Sequence, residues 1–233
     1  MSGFVWYDGP SELTGDPIVA IATNATRNTK TGDMWQTWIL RADMPPTEAV
    51  RTGADRGVCG DCALRGPGPR RCYVTMHQAP SAIYYAWLRG SYDIVTPAQA
   101  AQRVRGQLVR GGSYGDPTAL PAAAWMPIIQ SAKGWTAYTH QWRHYDWIRP
   151  FAMASVETIE DMRRAQSMGW RTFRTRRDGQ PLEPKEFGCP ASDEAGNTRQ
   201  CSSCLACHGA DRPNQASVSI ILHGALARRS NHV

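Results

Sequence analysis

No apolar run among the 233 residues approaches the roughly 20 needed to cross a bilayer, and the opening MSGFVWYDGPSELTGD has neither the charged start nor the apolar middle of a secretory signal. Both absences argue against membrane insertion and export, and the expectation is a cytoplasmic protein. Internal repeats and low-complexity tracts are missing too, which leaves an ordinary globular chain. Cysteine, by contrast, is plentiful. There are seven, an odd number that cannot pair off completely, and a reducing compartment disfavours disulfides. The cysteines therefore read as metal ligands or reactive thiols.

With 42% hydrophobic residues, the chain is long enough for one substantial core, and a single β/α domain over residues 1–233 is expected. The formal net charge of +6 is carried largely by arginine, with basic runs at Arg70-Arg71, Arg163-Arg164, Arg171 to Arg177 and Arg228-Arg229. Such runs suit either a solvated face or contact with phosphates.

The N-terminal part (1–57) reads as two strands, PIVAIATN and MWQTWILRA, around a turn-rich ATRNTKTGD. A cysteine-rich loop (58–76) follows. In the next part (77–178), APSAIYYAWLRG and TPAQAAQRVRG have helical spacing, with Thr96 placed as an N-cap before Pro97. From residue 107 strands and helices alternate. QLVRGGSYGD, WTAYTHQW, FAMASVET and WRTFRTR read as strands; PTALPAAAWMPIIQSAKG and IEDMRRAQSMG read as helices closed by Gly134 and Gly169. The polar RRDGQPLEPKEFG reads as a surface loop, and a metal-binding insertion with the last strand, ASVSIILHG, completes the chain (179–233). About seven strands in this rhythm imply an α/β protein with a small or incomplete TIM-type β/α barrel carrying a cysteine-rich insertion.

In such a barrel the chemistry stands at the carboxyl ends of the strands. That rule selects Tyr114 and Asp116, His140 and Gln141, Ser155 and Glu157, and Arg174 with Arg176. Singly, each has a local explanation: Asp116 can cap the turn after Pro117, Glu157 can favour the helix beginning at Ile159, and His140 can be a satisfied core histidine. As a set they offer Asp116, Glu157 and His140 for catalysis and Tyr114, Tyr138, Gln141, Ser155 and Arg174 for substrate contact. Tyr138, Trp142 and Trp147 add flat faces for a base. Carboxylates, aromatics and a basic surround suit work on a nucleobase or its glycosidic bond.

Cys201, Cys204 and Cys207 repeat as C-x2-C-x2-C, a spacing that lets one short turn bring three thiolates to a centre, with Cys189 as natural fourth ligand and His208 or His223 as competitors. Tetrahedral Zn2+ and a 4Fe-4S cluster both fit this set. The earlier C-x2-C-x9-C of Cys59, Cys62 and Cys72 is able to hold a second metal with His77, or to combine with the later group. It lacks the C-x3-C-x2-C spacing of radical-SAM enzymes.

The series RGGSYGDP, YTHQW and MASVET, then CP before CSSCLAC and a terminal ILHG, resembles a family of small cysteine-rich phage and plasmid proteins over roughly residues 58–224. More distantly, a barrel with rim aspartates and a late cysteine/histidine metal site is similar to tRNA-guanine transglycosylases and the phage enzymes that insert 7-deazaguanines into DNA. That likeness implies a carboxylate attacking the anomeric carbon, guanine leaving and a 7-deazaguanine base entering, on DNA or RNA. It implies Asp116 as nucleophile or proton-transfer group, Glu157 in the other part, and Cys201, Cys204 and Cys207 with Cys189 or His223 in place of the family's zinc site. The tight C-x-C-x2-C start of that zinc motif is not present here, and the chain is shorter than a full transglycosylase barrel. An iron–sulfur enzyme and a zinc-stabilised, non-catalytic DNA-binding protein are the competing expectations.

Overall fold

The computed structural model describes residues 3–24, 28–66, 72–211 and 215–222. Three antiparallel strands open the chain: β1 (Gly3–Pro10), β2 (Pro17–Thr23) and β3 (Trp35–Arg41). Six of the seven β2 residues are buried, as expected of a central strand of Ile, Val and Ala. Helices α1 (Pro46–Thr52), α2 (Arg56–Cys59) and α3 (Ala79–Leu88) lead to the short edge strand β4 (Asp93–Ile94). Next come α4 (Pro97–Val104), β5 (Leu108–Tyr114), α5 (Ala122–Ser131), β6 (Gly134–Thr139), β7 (Met153–Val156), α6 (Ile159–Ser167) and β8 (Thr172–Arg176). Strand β9 (Glu186–Gly188), helix α7 (Cys201–Cys204) and strand β10 (Ser217–Ile221) complete the described elements.

Local chemistry sets several boundaries. Thr96 and Gln99 form a reciprocal capping box on α4, with Thr96 Oγ1 accepting from Gln99 N at 3.3 Å and Gln99 Oε1 accepting from Thr96 N at 2.9 Å. Thr158 caps α6 through a single bond, its Oγ1 accepting from Asp161 N at 3.1 Å. The helix expected from Pro117 instead divides. Leu120 precedes Pro121 and is forced extended (φ −100°, ψ 150°), so a 3-10 turn over Pro117–Ala119 stops before α5 begins.

The ten strands make one sheet in the order β4-β1-β2-β3-β5-β6-β7-β8-β10-β9, parallel throughout except for β1-β2 and β2-β3. The strands β3, β5, β6, β7, β8 and β10 follow one another in chain order, as in a barrel, with helices in most of the crossovers and a 3-10 turn (Asp146–Ile148) between β6 and β7. The sheet does not close, however, and the TIM-type barrel is corrected to an open, mostly parallel sheet. The antiparallel hairpin extends one side as far as the two-residue β4, and the three-residue β9 ends the other. The surplus strands sequence reading did not count are β1, β4 and β9.

The main core packs β1, β2, β3 and β5 against α3, α4 and α5, with the Trp6 and Trp125 rings meeting edge to face at 5.3 Å. Gly111 of β5 faces the Trp125 side of the sheet, so its neighbour Arg110 points to the opposite face. A smaller core joins Trp142, Ile148, Met162 and Trp170 around α6. A third, on the face away from α5, gathers Met153, Val218 and Ile220 with Cys189 and Cys207. Among the described residues, no helix is long and apolar enough to cross a membrane.

Candidate active site

The loops after β5, β6 and β7 meet at the carboxyl end of the parallel strands, where Asp116 ties them together. Its Oδ1 accepts from Thr118 N (3.1 Å), Thr118 Oγ1 (2.8 Å) and Thr139 Oγ1 (2.8 Å); its Oδ2 accepts from Thr139 Oγ1 (3.0 Å) and the His140 backbone N–H (2.8 Å). Asp116 is buried. Burial pushes its carboxyl above the usual range, and the Thr118 hydrogen bonds, the His140 charge and the His140 backbone bond pull it back only in part.

His140 Nε2 stands 2.9 Å from Glu157 Oε1, and the Cys62 thiol lies beside the same ring. Burial works to lower its pKa, but the bonds to Cys62 and Glu157 and their charges outweigh it, and the imidazole sits well above its ordinary value. Among the described residues, Glu157 Oε2 takes no hydrogen bond. A cavity of about 100 Å³ opens here, lined by Cys59, Cys62 and Cys72 from one side and by Asp116, Tyr138, His140 and Ser155 from the other. Cys59 is desolvated, and with Cys62, Cys72, Asp55 and Asp116 nearby its thiol is raised well above the usual range. His140 therefore comes to the early cysteines, whereas His77 is exposed and does not line the cavity.

The later cysteines occupy a different place. Cys207 O accepts from Ala137 N of β6, and Cys189 N donates to Ser219 O of β10, so the insertion is stitched to the sheet at both ends. Cys189, Cys201, Cys204 and Cys207 feel one another's charge. Burial pushes the Cys207 thiol up to about 12, even though the Tyr138 hydroxyl bonds to it. No disulfide joins the cysteines among the described residues. Among the described residues, no three His, Cys, Asp or Glu side chains already surround a single point as a metal shell would require. The donor chemistry of the late group nevertheless fits a thiophilic metal: four thiols, two of them buried, on one anchored loop. His208 is engaged by Asp211 (Nδ1 to Oδ1, 2.8 Å), and His223 lies outside the described residues, as do Arg70-Arg71 and Arg228-Arg229.

The remaining expected residues divide. Tyr114, Tyr138 and Ser155 line the cavity. Gln141 is buried and donates to Cys59 O at 3.2 Å, bracing the early cysteine loop. Arg174 is buried, with Nε and Nη2 taken up by the two oxygens of Glu186 at 2.9 and 2.6 Å. Arg176 donates to Gln180 O, and Trp142 sits inside the small core. Sequence reading overlooked Arg110 and Tyr73, which line both the mouth cavity and an adjoining one of about 130 Å³. The signal available for Arg110 was a charge inside an otherwise apolar strand. Comparisons with protein-family models, curated proteins and solved structures find no match for the chain.

Proposed function

We propose that the chain is a nucleic-acid base-modifying enzyme that exchanges guanine for a 7-deazaguanine at the mouth built by β5, β6 and β7. The observation that carries this reading is the His140–Glu157 pair at 2.9 Å, set beside an aromatic-lined cavity at the carboxyl ends of parallel strands. Of the two carboxylates, Glu157 keeps an oxygen without a hydrogen bond and Asp116 keeps none, so Glu157 takes the attacking part and Asp116 holds the His140 backbone. Glu157 forms a C–O bond at the anomeric carbon as the C–N bond to guanine breaks, and protonated His140 gives its proton to the departing base. The incoming base then displaces Glu157 and returns a proton to His140. Cys189, Cys201, Cys204 and Cys207 would hold a structural Zn2+, which supplies cross-linking of the insertion.

Duplex DNA, RNA and labelled 7-deazaguanine base, incubated with the protein and digested to nucleosides, test this. Label enters the nucleic acid with the wild type and is lost with Glu157→Gln. No label with the wild type, or unchanged labelling in Glu157→Gln, overturns the reading.

A second reading is favoured by the three early cysteines lining the same cavity as His140. They would hold an iron–sulfur cluster beside the reacting groups, a centre for redox or radical chemistry. Metal analysis of anaerobically purified protein decides between them: zinc alone in a colourless preparation removes the second reading.

A further inference from the structure

The sheet carries one arginine in an unusual position. Arg110 lies in the middle of β5, between Val109 and Gly111, on the face away from α5, and is half-buried. Arg41, Arg65 and Arg174, which are also drawn into the fold, each pair with a carboxylate. For Arg110 there is no such partner: among the described residues, neither an ion pair nor a side-chain hydrogen bond engages its guanidinium. Its electrostatic neighbours are the phenols Tyr138 and Tyr73 and the thiols Cys201 and Cys207, and its Cζ stands 5.7 Å from the Tyr138 ring centroid. The guanidinium lines both cavities, and Tyr73, 49% exposed, lines both as well and reaches solvent.

A guanidinium drawn inward without a carboxylate is costly unless something completes it, and its planar fork of donors matches an oxyanion. The aromatic rings beside it, Tyr73 and Tyr138, offer flat surface for a ring attached to that oxyanion. We propose that Arg110 is the oxyanion-recognising residue of the mouth, and that the substrate it takes carries a phosphate on a nucleoside. This rests on the nucleotide reading given above and deepens it: His140 and Glu157 act on the glycosidic bond, and Arg110 holds the phosphate end.

Binding to the full chain, followed by intrinsic fluorescence, tests the assignment with guanosine 5′-monophosphate, guanosine and a short single-stranded oligonucleotide. The wild type binds the monophosphate or the oligonucleotide more tightly than guanosine by about ten- to a hundredfold, the equilibrium worth of a hydrogen bond to a charged group. Preference for the monophosphate assigns a free nucleotide; preference for the oligonucleotide alone assigns a strand phosphate. Arg110→Met removes the advantage without changing guanosine affinity, and Arg110→Lys, which keeps the charge but not the fork, retains part of it. Far-ultraviolet circular dichroism checks that the variants fold; if the Met variant does not, the Lys variant carries the test.

Equal affinity for guanosine and both phosphorylated ligands in the wild type overturns the proposal. So does a phosphate advantage that survives the substitutions, and so does a loss of bound metal in Arg110→Met with that advantage intact, which would make Arg110 a counter-charge to the thiols. Glu157→Gln keeps the phosphate advantage while losing base exchange. A wild type that shows the advantage but no exchange therefore retains the oxyanion site and loses the base-exchange reading.

Discussion

Replacing Asp116 with Asn separates a positioning carboxylate from a reacting one. An amide that keeps its oxygen at the Oδ1 position preserves the bonds from Thr118 N, Thr118 Oγ1 and Thr139 Oγ1. Its NH2 then faces the His140 N–H, which loses its 2.8 Å acceptor in a buried place. An unsatisfied buried donor costs about 1–3 kcal/mol, and removing a desolvated charge returns some of it, so a net loss of about 1–2 kcal/mol is expected. At a urea slope of about 1–3 kcal/mol per molar, the unfolding midpoint falls by about 1 M with an unchanged slope.

The pH dependence has a definite sign. The folded-state pKa of Asp116 lies above its ordinary 3.8, so the stability held by the protonated group is fully present below that value and is lost as pH rises through the raised one. Asn carries no such proton, so the gap between wild type and Asp116→Asn is widest in acid and narrows upward. In the base-exchange assay the variant keeps partial activity through a loosened His140, where loss of a nucleophile would remove it altogether. An equal or higher midpoint at neutral pH, a gap that widens with pH, or complete loss of exchange with intact Glu157 would refute the positioning role.

Two further substitutions probe the frame. Glu186→Ala leaves the Arg174 guanidinium buried with one backbone acceptor, Pro181 O, and should cost about 3–5 kcal/mol in urea unfolding; a loss under about 1 kcal/mol would mean that the pair is not formed. Gly115→Ala places a Cβ 2.7 Å from Ile39 Cβ at φ +83°, so left-handed strain of about 1–2 kcal/mol adds to the overlap; an unchanged melting temperature would show that the β5 turn is set differently.

Much of the parallel core was legible because its strands are largely apolar and its helices carry their own start and stop signals: the Thr96 and Thr158 N-caps, and Gly169 at φ +83°. The edges were not. A strand of two residues, such as β4, has no periodicity to read, and β9 lies in a polar, proline-bearing segment whose pairing with β10 depends on contacts distant in sequence. Closure of a sheet is decided at those edges, so an open sheet and a barrel give nearly the same pattern along the chain. The site divides in the same way. Strand-end position alone selects Asp116, His140 and Glu157, but Arg174 has the same credentials and differs only because Glu186, across a segment that reads as a surface loop, takes its guanidinium. Arg110 is the converse case, a charge whose value lies in the partner it lacks.

The two cysteine groups, which the spacing alone allows to merge, stand on different parts of the sheet. The late group bonds to Ala137 within β6 and to Ser219 of β10, while the early group lines the mouth at the strand ends. Tyr73, Arg110 and Tyr138 lie between them, lining both cavities. A metal on the late thiols would therefore act on the mouth through Tyr138 and Arg110: the Tyr138 hydroxyl meets Cys207 and its ring packs tilted against Phe173 at 4.5 Å, and Arg110 feels the charge of Cys201 and Cys207. Its removal should be felt first as loosening of the insertion and only afterwards at His140. The early thiols need no such intermediary, because Cys62 lies beside the His140 ring, so a change in their state would alter the proposed proton donor itself. On the proposed reading, position relative to the strand ends, more than ligand count, gives the late group the holding part and the early group the reacting one.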